Sequence, residues 1–191
     1  MRKSGLASLT YFFYDYRDDQ KKNLHGLLSL ALFQLCVQSD PYYDILSTFY
    51  SSHYHGAQRP SDDELVRCFK ELVGLPGQAP VYLVVDALDE CPSKSALRTP
   101  REDVLTLLKD LVNSQLPNLR IGVTSRTEVD IKAVLEPLTF HSFSLHDECG
   151  QKADIKYYIK SFVNTNTKMR GWTQEHKQLV IDRLTKRAEG S

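Results

Sequence analysis

The chain has 191 residues, with 24 basic and 24 acidic side chains and a formal net charge of zero at pH 7. That balance removes the electrostatic case for a nucleic-acid partner, and 41% apolar with 25% charged residues is ordinary for a globular protein able to bury one sizeable core. Cys36, Cys68, Cys91 and Cys149 are widely spaced with no C-x-x-C pair, which argues against a zinc site or a disulfide framework and for reduced thiols in a cytoplasmic protein.

Arg2 and Lys3 precede the apolar stretch Leu6–Tyr14, but this is short, aromatic and runs into Asp15 without a small-residue cleavage site; it reads as a strand and not as a signal peptide. No run reaches the ~18 apolar residues that a membrane span needs. Leu24, Leu27, Leu28, Ala31 and Leu35 recur at helical spacing, and this helix ends before Asp40-Pro41. A second short helix is expected over Tyr42–Tyr50. Ser51–Pro60 reads as a loop in which His53 and His55 are exposed, since no third metal ligand accompanies them. Ser61-Asp62-Asp63-Glu64 has the form of a capping box and starts a helix with Leu65, Val66, Phe69, Leu72 and Val73 on its apolar face.

The run Val81–Glu90 carries the most chemical information. Val81-Tyr82-Leu83-Val84-Val85 reads as a strand buried on both faces, and it ends in Asp86, Asp89 and Glu90. A parallel strand that delivers carboxylates at its C-terminal end puts them where open α/β sheets bind ligands. One or two carboxylates at such a place suit a hydrated Mg²⁺ shared with substrate phosphates. Asp86 is the candidate to hold the metal through water, while Asp89 or Glu90 would orient or activate a water against a phosphoryl group. The plainer reading is a buried strand followed by a solvated acidic turn.

A second capping box, Thr99-Pro100-Arg101-Glu102, opens a helix with Val104, Leu105, Leu107, Leu108, Leu111 and Val112. Leu119–Arg126 is the next strand, and Arg126 lies just past its end. Its guanidinium can recognise a phosphate in the same crevice or can pair with the Asp86–Glu90 cluster; both readings stand open. Val129–Leu138 is helical, Phe140–Leu145 alternates like a last strand, and Asp154–Val163 and Thr173–Ala188 are closing helices. Strands alternating with helices give the fold class: α/β, a parallel sheet with helices on both faces. From none of the nine glycines does the chain read G-x-x-x-x-G-K-[ST], so no phosphate-cradling loop is encoded in these residues. Nor is there a G-x-S-x-G or an H-E-x-x-H to support a hydrolase of another kind.

Val81–Glu90, continuing into Cys91-Pro92, resembles the Walker B segment of NACHT domains, and in particular of the fungal proteins whose N-terminal part is similar to nephrocystin. Tyr11–Asp18 is similar to the strand that follows the P-loop helix there, and Ile121–Arg126 to the next strand with its sensor-type arginine. His146-Asp147-Glu148, with Asp154-Ile155 and Tyr158-Ile159, is similar to the usual exit from the nucleotide domain. The resemblance implies a partial P-loop NTPase of the STAND class: residues 1–150 a nucleotide-binding domain lacking its first strand, residues 151–191 the start of a helical region. It implies an ATP- or GTP-dependent oligomerisation switch, with Mg²⁺ on Asp86, hydrolysis assisted by Asp89 and Glu90, and Arg126 sensing the γ-phosphate. The family's P-loop precedes the segment matching Ser4–Asp18, and its strand would lie between those matching Leu119–Ser125 and Phe140–Leu145. The expectation is therefore a fragment that is weak or inactive alone and whose partners are other protein chains. A non-enzymatic interaction scaffold is the alternative, and a Mg²⁺-dependent phosphohydrolase or nuclease built on the same acids is a third.

Overall fold

The computed structural model describes residues 6–93, 99–144 and 149–188. The chain divides into two compact units, Met1–Thr139 and Phe140–Ser191. In the first, strands β1 (Ser8–Phe13), β2 (Val81–Asp86) and β3 (Leu119–Val123) form a parallel sheet in the order β1-β2-β3. Ser8 is opposite Val81, and Val81 is opposite Leu119. Between β1 and β2 lie helices α1 (Leu24–Cys36), α2 (Asp40–Ser52) and α3 (Asp62–Gly74); α4 (Pro100–Asn113) links β2 to β3, and α5 (Val129–Leu135) follows.

The helix starts are fixed locally. The Asn23 side chain accepts from Gly26 N at the head of α1. Ser61 and Glu64 form the expected capping box on α3, and Thr99 and Glu102 the one on α4. Gly26 is required by close approach, because a Cβ there would lie 2.0 Å from the Gln20 carbonyl oxygen.

The expected parallel α/β sheet is present, and the direction of its crossovers decides what covers it. Both connections step the same way along the sheet, and right-handed crossovers then place α1, α3 and α4 on one face. Leu27, Leu28 and Leu35 of α1, Phe69 and Leu72 of α3 and Leu108 of α4 pack there against Phe12, Val81, Leu83 and Val85. The opposite face keeps Leu9, Tyr11, Phe13 and Tyr82 about half exposed.

Four expectations are corrected. Val81–Val85 is not buried on both faces, since its outward Tyr82 is 46% exposed. The Phe140–Leu145 alternation produces no strand over residues 140–144. Phe140 and Phe143 are three residues apart, so an extended chain would turn them to opposite faces, and both are exposed. Leu145 and His146–Glu148 lie outside the described residues. The Ser51–Pro60 loop is partly helical, since α2 runs to Ser52. His53 is buried, its Nδ1 2.8 Å from the Phe49 carbonyl oxygen and its Nε2 3.5 Å from Glu64 Oε1. In the second unit, α6 (Cys149–Thr165) and α7 (Gln174–Ala188) pack against each other, with Val163 and Ile181 buried.

Candidate functional site

The predicted acids and the predicted arginine meet at the C-terminal edge of β2 and β3. Period-two alternation turns Asp86, together with Tyr82 and Val84, to the sheet face opposite the one that α1, α3 and α4 cover. Thr124, the residue after β3, has the same parity. Its hydroxyl donates to Asp86 Oδ1, and its backbone N donates to Val85 O at 2.9 Å. Thr124 thus extends the β2–β3 pairing by one residue and fixes the Asp86 carboxylate.

Beyond Asp86 the chain turns sharply. Ala87 has left-handed dihedrals, φ 54° and ψ 46°, which a residue with a Cβ adopts only at a cost of about 1–2 kcal/mol. Its amide donates to Asp86 Oδ1 at 3.0 Å and to Thr124 Oγ1 at 3.1 Å, which holds the turn in place. The following 3-10 turn, Leu88–Glu90, is pinned where Leu88 N donates to Thr124 O at 3.0 Å.

Asp89 is the point at which the acidic turn and the arginine meet. Its Oδ1 accepts from Arg126 N at 3.0 Å, and its Oδ2 is 3.5 Å from Arg126 Nε. The Asp89 side chain is only 11% exposed, whereas that of Arg126 is 85% exposed. The carboxylate is thus held by the backbone, and the guanidinium rests loosely on it from the solvent side. Glu90 Oε2 accepts from Tyr16 N at 3.4 Å, which ties the turn to the loop after β1.

Two residues of the site are not singled out by sequence reasoning. Thr124 offers no signal, because a threonine at a strand end has many local uses. Arg101 does carry one: it lies in the first turn of α4, where the helix dipole disfavours a cation. The reason is now visible. The nearly buried Arg101 donates from Nη2 to Asp89 O at 2.6 Å and from Nε to Cys91 O at 2.9 Å, and its Nη1 is 3.1 Å from Asp130 Oδ2. One guanidinium therefore joins the acidic turn to α4 and α5. Beneath it, burial pushes the Cys91 thiol up to about 12 and raises the Tyr14 phenol, whose buried hydroxyl has no hydrogen-bond partner. An apolar cavity of about 360 Å³ between α1, α2 and α3, lined by Leu32, Phe33, Phe49 and His53, includes none of the site residues.

Among the described residues no group of three or more His, Cys, Asp or Glu is placed to hold a metal ion. The donor set at the strand ends is smaller, one carboxylate with an adjacent hydroxyl. That fits a hydrated Mg²⁺ whose other ligands are water and phosphate oxygens. It does not supply a nest of amides for a triphosphate.

Residues 1–126 match the nephrocystin 3, N-terminal family. The chain belongs to that family. The matched span takes in β1, β2 and β3, Asp86, Asp89, Glu90 and Thr124, and ends on Arg126. Comparison with curated proteins and with solved structures gives no match. Within the nephrocystin 3 N-terminal span, the C-terminal edge of β2 and β3 brings Asp86 to Thr124 and Asp89 to Arg126. No helix among the described residues is long and apolar enough to cross a membrane.

Proposed function

We propose that this nephrocystin 3 N-terminal chain carries the acid-and-arginine half of a nucleotide-binding module of the NACHT type, within the STAND class of signalling NTPases. The observation that supports it most is the convergence of Asp86 with Thr124, and of Asp89 with Arg126, at the C-terminal edge of one parallel sheet. In this reading Asp86 holds Mg²⁺ through water, with Thr124 fixing its rotamer, and the metal supplies charge neutralisation for the phosphates. Asp89 and Glu90 orient water near the γ-phosphate. The exposed Arg126 leaves Asp89 for that phosphate, so a ligand is exchanged for an internal contact and the α4–α5 region senses the change through Arg101. Cytoplasmic residence and control of association between protein chains belong to the same proposal.

The 191-residue chain encodes no G-x-x-x-x-G-K-[ST], so the triphosphate finds one guanidinium and no amide nest. Isothermal titration with Mg-ATP is therefore expected to show weak or no binding, and micromolar affinity would overturn the requirement for that loop. Backbone NMR at millimolar Mg-ATP tests the assignment itself. Shifts confined to the neighbourhood of Asp86, Thr124 and Arg126, and lost in Asp86→Asn, are expected; a silent spectrum there refutes it.

A further inference from the structure

The stretch from His53 to Pro60, between α2 and α3, is moored at each end by a histidine. Residues 55–59 are exposed, and two consecutive residues are left-handed, His55 at φ 54° and Gly56 at φ 85°. A Cβ at Gly56 would lie 2.8 Å from the Tyr50 ring, so the turn favours glycine there. Gly56 N and Gln58 N both donate to the His53 carbonyl, at 3.1 and 3.2 Å. At the near end the His53 ring sits between the Phe49 carbonyl and Glu64. At the far end Arg59 reaches back to α1, where its Nε donates to His25 Nε2 at 3.2 Å. Gly56, Gln58 and Pro60 form one wall of the cavity between α1, α2 and α3.

The partners of His25 fix both its charge and its tautomer. The carboxylate of Asp62, the first residue of α3, only accepts, and its Oδ1 lies 2.8 Å from His25 Nδ1, so that nitrogen carries the hydrogen. Arg59 Nε only donates, so His25 Nε2 must offer its lone pair. The neutral imidazole with its hydrogen on Nδ1 is the one form that satisfies both. A proton on Nε2 would set N–H against N–H and cation against cation, which expels Arg59, while the bond to Asp62 becomes charge-assisted and keeps α1 against α3. The other charged groups of the neighbouring elements are engaged or turned to solvent. Ahead of α1, Lys21 pairs with Asp18 and Lys22 with Asp19. In the first turn of α3, Glu64 is bound by Ser61 and His53, and Asp63 is exposed. In α4, Arg101 is bound to Asp89, Cys91 and Asp130, and Glu102 caps its own helix. The strand β1 and the last two turns of α2 carry no charge.

We propose that His25 is a proton-operated latch on the stretch His53–Pro60. With His25 neutral, Arg59 is tied to α1 and the cavity wall is shut. When His25 takes a proton, Arg59 leaves, and the stretch swings on His53 and opens the apolar cavity from that side. Histidine is the side chain whose charge change falls between about pH 5 and pH 8, so the latch works within the physiological range. His53 responds in the opposite sense. Its Nδ1 faces a carbonyl and its Nε2 a carboxylate, both acceptors, so a proton there tightens the hinge while the latch is released. The device uses none of the residues at the ends of β2 and β3 and stands apart from the nucleotide-site proposal.

NMR of the full 191-residue chain tests it. At about pH 8 the imidazole proton–nitrogen correlation spectrum is expected to show His25 with its hydrogen on Nδ1, together with a slowly exchanging Arg59 Nε–H. Between about pH 8 and pH 5 that Arg59 signal is expected to vanish, and the exchange protection of the Gly56 and Gln58 amides to fall about tenfold, with the midpoint of the His25 ring titration. In His25→Gln the amide can donate to Asp62 and accept from Arg59 but does not titrate, so protection is expected to hold across the range. Arg59→Ala, at an exposed position ahead of the α3 cap, is expected to give low protection at both ends of it. A hydrogen on Nε2 of His25 at the higher pH overturns the proposal, as does protection that ignores the His25 midpoint or is unchanged in Arg59→Ala. A pH response that persists in His25→Gln would belong to His53 and would overturn it as well.

Discussion

The side-chain amide of Gln34 makes both of the hydrogen bonds to Tyr11 that an adjacent strand would make, Oε1 accepting from Tyr11 N at 2.7 Å and Nε2 donating to Tyr11 O at 3.1 Å. The same Oε1 accepts from the buried Thr10 hydroxyl at 3.0 Å. Gln34→Leu keeps the volume and removes all three bonds. It is expected to lower stability by about 1–3 kcal/mol in urea titrations and, together with Gln38→Leu, to produce β-rich aggregates as the β1 edge opens. An unchanged midpoint would show that water replaces the amide without cost.

Arg101 joins three elements through one planar group, with bonds to Asp89 O, Cys91 O and Asp130. Arg101→Met fills the same channel but leaves two carbonyls without their donor, at an expected cost of about 2–4 kcal/mol by chemical denaturation. Arg101→Lys recovers little of this, because a point-charge ammonium cannot span the three acceptors that the guanidinium fork reaches. Full recovery by lysine would reduce the clamp to simple charge.

Thr124→Val deletes the hydroxyl that bonds Asp86 and the Ala87 amide while preserving β-branching and size. A loss of about 1–2 kcal/mol is expected, with Thr124→Ser close to the parent. Ala87→Gly in the Thr124→Val background restores part of the loss, since glycine takes the left-handed conformation without a Cβ penalty. Thermal melts of the four proteins read this directly, and a double variant less stable than Thr124→Val alone would contradict the strain at this turn.

The hydroxyl of Ser61, then its amide, hold the Glu64 carboxyl down at about 2 against an ordinary 4.5. A depressed carboxylate contributes stability that is fully present above the unfolded value and is lost as pH falls toward the folded one. The window is therefore about pH 4.5 to 2, where α3 is expected to loosen first. Ser61→Ala should flatten the fall of the urea midpoint across that window and leave the neutral-pH slope untouched. Asp15, held down to about 2 by Arg17, contributes in a neighbouring range and is unaffected by that change.

Much of the fold is legible along the chain because its determinants lie within a few residues of one another. The Ser61–Glu64 and Thr99–Glu102 boxes start α3 and α4 where the pattern places them, and the unbroken apolar run Val81–Val85 is the central strand, its inward residues fully buried. The placement of Asp86 at that strand's end follows from the same run. Phe140–Leu145 shows the limit of local pattern, since alternation without a paired neighbour produced no strand over residues 140–144.

What the sequence by itself determined, then, is where helices begin, that Val81–Val85 is a strand, and that acids and an arginine end consecutive strands. Tertiary structure alone decided that the order is β1-β2-β3, that same-handed crossovers gather α1, α3 and α4 on one face, and that Asp89 rather than Asp86 receives Arg126. It also decided that Thr124 orients Asp86, that Arg101 holds the acidic turn, and that glutamine side chains pair with the outer edge of β1. The physical reason is range. Caps and periodicity act over a turn or two of chain, whereas Gln34–Tyr11, Asp86–Thr124 and Asp89–Arg126 join residues 23, 38 and 37 positions apart, brought together only when the sheet assembles and its core excludes water.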